Sequence, residues 1–354
     1  MLILYLLFIL VLTLWGIKFS REDDYLSKEQ CNSIKGIFIL MICLTHSMQY
    51  IRASGYSFPG IDALTPIFTS YIGQLVVVMF LFYSGYGVAL QIRNKGEQYV
   101  QQMPRHRILK TLLNFDVAVC AFILLALLLS QPLSISQVLL SFVAWDSVGN
   151  SNWYIFVILL CYSFTYIAGK IYYNHLGMVL LFLCLITMFM LSFVKESHWY
   201  DTILAYPAGY YHACYRNQIE KWLKEYYVFA FVVLLAVFVY LHDIFPYSYR
   251  GLPENITGIT FALIVVMITM KVRIGNKWLQ WCGINLFPLY IYQRLPMIAL
   301  QAILGNDFLS NYPVIYLVTC LLITCLVAEY YKYWEINKLQ YCKRNEVQLM
   351  KEKN

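Results

Sequence analysis

The chain has 354 residues, of which 60% are apolar and only 13% are charged, and its mean hydropathy is +0.61. A soluble domain carries about a quarter charged residues, so this composition excludes an ordinary soluble fold and indicates an integral membrane protein. The net charge of +7 comes from basic residues scattered between apolar segments, so no nucleic-acid partner is expected.

Eleven apolar segments follow one another along the chain, with lengths suited to a hydrocarbon core of about 30 Å. They cover approximately residues 2–19, 33–51, 67–92, 110–130, 153–169, 176–194, 202–215, 226–242, 255–271, 284–304 and 312–331. The first has no basic region before it and no small-residue cleavage site after it, which predicts an uncleaved helix. The segment 202–215 is short and contains Pro207. The pattern predicts an all-α integral membrane protein of about eleven transmembrane helices.

The basic residues fall almost entirely on one side of this predicted bundle. When the connections are assigned alternately to the two sides, one side holds 22 lysines and arginines. The other side holds only Arg52, Lys195 and Arg250, while Arg294 lies inside a segment. By the positive-inside rule, the N-terminus is outside and the C-terminus is cytoplasmic.

His46 lies deep in the second segment, among residues that are otherwise apolar. An ionisable group at this depth is costly, which favours a functional role, and an imidazole can take a proton from an alcohol near neutral pH. Lys35 precedes it by eleven positions, which places both within about 20° of one helix direction and roughly 16 Å apart along the axis. We expect both to face one cavity, with Lys35 at its cytoplasmic mouth. The alternative is a packed histidine bonded to a neighbouring helix carbonyl.

A second basic cluster enters the fourth segment from the cytoplasmic side and contains Arg105, His106, Arg107 and Lys110. Arg107 and Lys110 are three positions apart, so on an α-helix they share a face suited to gripping phosphates. Basic residues that only keep this end of the helix on the cytoplasmic side give the same pattern, so this alternative stays open.

Other polar residues inside the segments include Asp116, Arg294 and Glu329. A lone buried charge is expensive, so we expect Arg294 to pair with Glu329 or Asp116 in a structural ion pair. No phosphate-binding loop, GxSxG elbow, HExxH motif or paired metal-ligand spacing occurs, so no metal site is predicted.

Six stretches together resemble a known family. They are IKGIFILMICLTH (34–46), FLFYSGYGV (80–88), RHRILK (105–110), NWYIFVILL (152–160), YPAGYYHACY (206–215) and LFPLYIYQRLP (286–296). In this order, over about residues 30–331, they resemble the motifs of the acyltransferase-3 family of membrane O-acyltransferases. Three positions depart from the family pattern: Lys35 and Lys110 replace arginines, and Gln293 stands where many members carry a histidine. Lysine keeps the charge but loses bidentate binding.

The resemblance implies a ten-helix acyltransferase domain over 30–335, preceded by an extra helix at 1–19 and followed by a basic cytoplasmic tail at 336–354. It implies that His46 is the catalytic base or acyl relay and that Lys35 supports it. It also implies that Arg105, Arg107 and Lys110 bind the phosphates of acyl-CoA. The residues it places around the substrate are Ser84, Gly85, Asn152, Trp153, Tyr154 and Tyr292. For Trp153 and Tyr154 the alternative is an interfacial aromatic belt.

The expected function is therefore O-acetyl transfer in a bacterial inner membrane, from cytoplasmic acetyl-CoA to a hydroxyl of a cell-surface glycan or lipid-linked sugar. No other cofactor is implied, and a glycan-assembly complex is a candidate partner. One alternative is a transporter of a lipid-linked sugar or small metabolite, in which His46 and Arg294 act as gating or proton-relay groups. Another is a non-catalytic scaffold in a glycan-assembly complex.

Overall fold

The computed structural model describes residues 2–19, 24–244 and 251–352, with side chains described as far as Trp334. Several basic residues of the topology argument lie outside this described part, either entirely or in their side chains. They are Arg21, Arg250, Lys338, Lys343, Arg344, Lys351 and Lys353.

The described chain is almost entirely helical. The first eight helices are α1 (Ile3–Leu14), α2 (Lys28–Ala53), α3 (Leu64–Ile72), α4 (Leu75–Lys95), α5 (Glu97–Met103), α6 (Lys110–Leu128), α7 (Ile135–Ser141) and α8 (Trp153–Ile171). The others are α9 (Leu176–Leu191), α10 (Ala205–Cys214), α11 (Arg216–Val239), α12 (Leu252–Thr269), α13 (Lys277–Ile284), α14 (Leu286–Tyr292), α15 (Arg294–Asn311) and α16 (Pro313–Glu352). Two short strands, β1 (Ile17–Phe19) and β2 (Val272–Ile274), pair antiparallel.

Within the described residues, eight helices are long and apolar enough to cross a membrane. They are Lys28–Ala53, Gly60–Lys95, Glu97–Leu128, Trp153–Ile171, Tyr173–Leu191, Arg216–Ile244, Leu252–Thr269 and Pro313–Trp334. The all-α membrane class is confirmed, whereas the count of eleven is not.

Three predicted segments form shorter helices than expected. The helix in 2–19 ends at Leu14, and the chain turns into β1. The segment 202–215 contains only the ten residues of α10, which span about 15 Å. The segment 284–304 is divided at Gln293 into α14 and α15. The hydropathy pattern showed that these segments are apolar, but it did not show where their helices end.

Apolar side chains cover the outside of the long helices. Leu124, Phe182, Val228 and Leu322 are each more than half exposed on four different helices. In water such a surface would be an aggregation liability, whereas lipid tails solvate it. The multi-pass membrane assignment therefore follows from the surface as well as from the helix lengths.

Two short helices pack on long ones through reciprocal glycine contacts. A Cβ atom on Gly85 of α4 would overlap the carbonyl oxygen of Tyr206 in α10, and one on Gly209 of α10 would overlap that of Phe82 in α4. The same arrangement joins α2 to α13, through Gly36 and Gly283. Small residues allow membrane helices to approach this closely. These two crossings fix α2 and α4, the helices that carry the site described below.

The predicted cytoplasmic segments meet at one end of the bundle, called here the basic end. Lys18 of β1 is opposite Arg273 of β2, and Arg273 forms an ion pair with Glu29 at 3.1 Å. Arg216, at the start of α11, contacts Asp24 at 3.4 Å. Segments distant in sequence but predicted to share a side are therefore neighbours at this end.

Candidate active site

His46 lines a cavity of about 450 Å³ at the end of the bundle opposite the basic end. This is the size of a site for a small molecule. The cavity is formed by the C-terminal part of α2, the start of α4, the loop before α8, and α14 and α15. Its lining residues are Ile42, Thr45, His46, Gln49, Gly73, Gln74, Val76, Val77, Ser147, Gly149, Asn150, Ser151, Asn152, Trp153, His198, Tyr290 and Arg294.

The imidazole of His46 packs beside Tyr290, with ring centroids 6.5 Å apart, and close enough to Gln293 to interact with it. Its Nδ1 atom is buried and makes no hydrogen bond with the described residues. The alternative of a histidine bonded to a helix carbonyl is thus not what the structure contains. The imidazole thus lines a polar cavity and has one nitrogen that the described residues leave without a hydrogen bond.

The loop that precedes α8 supplies most of the polar cavity wall, and hydrogen bonds within the loop fix its conformation. The side-chain oxygen of Asn150 accepts from the backbone of Val148 at 3.0 Å, and Ser147 Oγ donates to the Asn150 carbonyl at 2.7 Å. Asn152 donates to the Ala144 carbonyl at 2.9 Å. These bonds satisfy the buried polar groups of a non-helical segment, as backbone inside a membrane protein requires.

Arg294 reaches this loop from the first residue of α15. Its Nε donates to Ser151 Oγ at 2.8 Å and its Nη2 donates to Gln49 Oε1 at 2.5 Å. The prediction of an ion pair with Glu329 or Asp116 was wrong. Glu329 contacts Lys332 and Trp281 instead, and the buried Oδ1 of Asp116 has no hydrogen-bond partner among the described residues. Because α15 begins at Arg294, the side chain points toward the cavity and not across the bundle to those acids.

Lys35 does not line the cavity of His46. It is half-buried near the basic end, one turn from Cys31, and the positive charge of Lys28 is close enough to repel it. Both residues lie on α2, but the expected common cavity is not found. The reason is packing: buried side chains of α2, including Phe38 and Ile39, lie between the two positions.

A layer of buried tyrosines separates the His46 cavity from the basic end. It consists of Tyr154, Tyr162, Tyr206 and Tyr290. The rings of Tyr154 and Tyr290 are 5.1 Å apart, and those of Tyr162 and Tyr206 are 6.1 Å apart. Ser84 of α4 interacts with both Tyr154 and Tyr162, and so joins the two halves of this tyrosine layer.

Arg107 approaches the same layer from the basic side. Its Nε donates to the Tyr99 hydroxyl at 3.0 Å, and its guanidinium lies 5.9 Å from the centre of the Tyr162 ring. Arg105 and Lys110 are exposed. The cluster 104–109 is a π-helical turn, whose wider spacing breaks the predicted shared face of Arg107 and Lys110. Of the basic cluster, Arg107 is thus the residue directed into the bundle.

A second cavity, of about 380 Å³, opens at the basic end between α4 and the junction of α10 with α11. Arg93 and Arg216 are its cationic lining residues, with Tyr210 and Asn217 beside them. Arg216 is held by Glu220 at 2.5 Å and by the Tyr86 hydroxyl at 2.9 Å. Sequence reasoning missed this cavity, because its two arginines are separated by more than a hundred residues.

The predicted substrate-lining residues have different positions. Asn152 and Trp153 line the His46 cavity, while Tyr154 and Ser84 belong to the layer beneath it. Gly85 is a packing residue at the crossing with α10. Tyr292 packs against Tyr331, outside the cavity wall.

Besides Arg294, eight polar cavity residues were not singled out for the site from the sequence: Thr45, Gln49, Gln74, Ser147, Asn150, Ser151, His198 and Tyr290. Tyr290 could have been found from the sequence. Residues two positions apart on an α-helix point to nearly opposite sides, so Tyr290 was the alternative to the chosen Tyr292. Among the described residues, no group of three or more His, Cys, Asp or Glu side chains could hold a metal ion.

A deep histidine in a polar cavity, inside a bundle of membrane-spanning helices, defines a multi-pass membrane protein with a candidate catalytic site. The model of the acyltransferase-3 family, described as an acyltransferase domain, matches residues 30–331. The chain therefore belongs to the acyltransferase-3 family, and it is a membrane acyltransferase. Searches among curated proteins and among solved structures returned no match.

Proposed function

We propose that this membrane acyltransferase moves an acetyl group from acetyl-CoA at the cytoplasmic side to a hydroxyl of a glycan or lipid-linked sugar at the outer side. The basic end is the cytoplasmic end in this scheme, in accordance with the positive-inside rule. The cavity of His46 is then the acceptor site.

The observation that carries the proposal is the position of His46. Its ring lines a polar cavity at one end and touches a tyrosine layer that Arg107 contacts from the other end. A donor bound at the basic end and an acceptor bound in the cavity would approach the same layer from opposite sides. Trp153 adds an aromatic wall to the cavity, and flat aromatic surfaces are suited to sugar rings.

The chemistry assigned to His46 is general base catalysis. Once the tyrosine side chains between the two sites move aside and admit the acyl group to the cavity, the acceptor hydroxyl gives its proton to the imidazole while its oxygen bonds to the acyl carbon. The bond from that carbon to the donor sulfur breaks, and the imidazolium returns the proton to the leaving thiolate. Atoms and charge balance without any further cofactor.

The donor is assigned to the basic end because CoA carries phosphate groups. Arg107 offers a charge-assisted contact from one side of the layer, and Arg105 and Lys110 add exposed positive charge nearby. Lys35 belongs with this end, where it would attract the donor rather than assist His46.

The test replaces His46 with Ala and uses His175→Ala, an exposed histidine that packs on Tyr172, as the matched control. O-acetyl content of surface glycans is measured in cells, and acetyl-CoA turnover is measured with purified protein. We expect His46→Ala to lose activity by about a hundredfold or more and the control to retain it. Unchanged acetyl content in His46→Ala would refute the catalytic role. Movement of a sugar across the membrane without acetyl-CoA consumption would support the transporter alternative.

A further inference from the structure

We infer that the His46 cavity takes an acceptor that carries an anionic group, a carboxylate or a phosphate, and that Arg294 binds this group. The inference rests on the proposed function, because it names the chemical class of the acceptor. It depends on a part of the cavity that the acyl-transfer chemistry does not use.

Among the described residues, Arg294 has neutral neighbours and no acidic one. Two of its nitrogens donate to Ser151 and Gln49, and the Tyr50 ring lies 5.9 Å from the guanidinium. Across residues 2–19, 24–244 and 251–334, no carboxylate comes within ion-pair distance of it. The neutral partners fix the plane of the guanidinium and leave its charge without a counter-ion among these residues.

The cavity around Arg294 contains no acidic lining residue. Its ionisable lining groups are Arg294, His46 and His198, with the phenol of Tyr290 beside them. Two acids lie next to this wall without lining it: Glu196, which contacts His198 at 3.4 Å and is 86% exposed, and Asp146, whose Oδ1 accepts from the backbone of Ser147 at 2.7 Å. Among the described lining residues the permanently charged side chain is therefore the Arg294 cation, and walls of low dielectric constant strengthen its field.

Three polar atoms without partners among the described residues belong to residues that line the same cavity. Asn150 is only 6% exposed, yet its Nδ2 atom makes no hydrogen bond in the described structure. The same is true of Gln74 Oε1 and of the Tyr290 hydroxyl, which lies near Ser151 without regular bonding geometry. All three residues line the cavity. Buried polar atoms are normally satisfied, so these favour water or a polar ligand in the cavity over an apolar one.

A partly buried cation without an acid is expensive inside a membrane protein. An anionic ligand removes this cost when it binds, and a neutral ligand does not. Since the guanidinium of Arg294 is planar and held in place, oxyanions with two accessible oxygens are the chemical match. With its anion at Arg294, an acceptor would present a neighbouring hydroxyl to His46.

The experiment measures ligand binding in the absence of any acyl donor, with the full chain in lipid nanodiscs. Three probes are titrated: methyl glucuronide as the carboxylate, glucose 6-phosphate as the phosphate, and methyl glucoside as the neutral reference. The variants are Arg294→Lys, Arg294→Gln and the matched control Arg52→Gln. Arg52 lies on α2 at the same end of the bundle but is exposed outside the cavity.

We expect at least one acidic probe to bind about tenfold or more tightly than the neutral one. Arg294→Gln should abolish this preference, Arg294→Lys should keep part of it, and Arg52→Gln should keep all of it. The probe that binds more tightly identifies the source of the anion. Equal binding of acidic and neutral probes by the unmodified protein, no binding of either acidic probe, or a preference that persists in Arg294→Gln would overturn the inference.

Failure here is distinguishable from failure of the proposed function. If Arg294 does not select anions while His46→Ala still loses acetyl-CoA turnover, the protein is an acetyltransferase with a neutral acceptor. If the anion preference holds while His46→Ala keeps full turnover, the cavity binds an anion but the catalytic assignment is incorrect.

Discussion

Gly85 of α4 and Tyr206 of α10 are in backbone contact, so close that a Cβ atom on Gly85 would overlap the Tyr206 carbonyl oxygen. The next glycine is Gly87, and a Cβ atom on it would have no neighbouring atom within 4 Å. Two glycines two residues apart in one helix thus experience opposite surroundings. The first holds α10 against α4, and the second faces open space.

We therefore expect Gly85→Ala to destabilise the folded protein by about 1–3 kcal/mol or more, since the neighbouring atom is backbone and cannot rotate away. Gly87→Ala should change stability by no more than about 0.5 kcal/mol. Thermal unfolding of the detergent-purified variants, followed by size-exclusion chromatography, measures the difference. Equal midpoints for the two variants would show that the crossing is looser than described.

Arg107 is directed into the bundle, whereas Arg105 is exposed two residues earlier. We predict that Arg107→Gln raises the KM for acetyl-CoA about tenfold or more, because a charge-assisted contact is lost. Arg105→Gln should have a clearly smaller effect. Steady-state turnover at varied acetyl-CoA gives both values, and Arg93→Gln measured alongside tests the second basic cavity. A larger effect of Arg93→Gln than of Arg107→Gln would move the donor site to that cavity.

The Tyr290 hydroxyl is buried at the cavity without a regular hydrogen bond in the described structure. Removal of an unsatisfied hydroxyl does not cost a protein hydrogen bond, so Tyr290→Phe should keep the stability of the parent protein. Activity should fall nevertheless, by about fivefold or more, if the hydroxyl contacts the acceptor. The two readouts are acetyl transfer and the thermal midpoint. A variant that is less stable but fully active would assign the hydroxyl to folding instead.

His198 lies in the connection Ser197–Trp199, outside the membrane-spanning helices, and lines the cavity. Burial lowers the pKa of this imidazole below its ordinary value of about 6.5, the nearby Glu196 opposes this, and Lys195 adds to it. The folded state therefore binds a proton less readily than the unfolded state. Stability should be full above about pH 6.5 and should fall as the pH decreases through and below that value.

His198→Gln should reduce this acid-induced loss. The measurement is the thermal midpoint at about pH 7.5 and about pH 5.5, on either side of the ordinary histidine pKa, for the parent protein, for His198→Gln and for the exposed control His175→Gln. An equal decrease in all three proteins would assign the acid sensitivity to other groups.

The helical membrane class could be predicted because hydropathy acts locally. Lys18 and Arg273 were assigned to one side from their neighbours alone, and the structure pairs them in one small sheet. The same local signals placed His46 within the bundle but gave no information on its surroundings. Family resemblance also selected Asn152 and Trp153, which line the cavity.

The remaining features depend on contacts between residues that are far apart in sequence. Arg294 and Ser151 are 143 positions apart, so no window of sequence shows that they meet. The π-helical turn at 104–109 and the break at Gln293 changed which side chains face inward. Both are backbone departures from a regular helix, and helical periodicity assumes that none occurs.

The tyrosine layer has a consequence for the membrane itself. A bilayer stores electrical and chemical gradients only while every protein that crosses it is closed to ions. Packed phenol rings, with Tyr206 completely buried among them, lie between two polar recesses. The His46 cavity and the cavity at the basic end share no lining residue, so neither is by itself a path that ions could follow across the membrane in the described conformation.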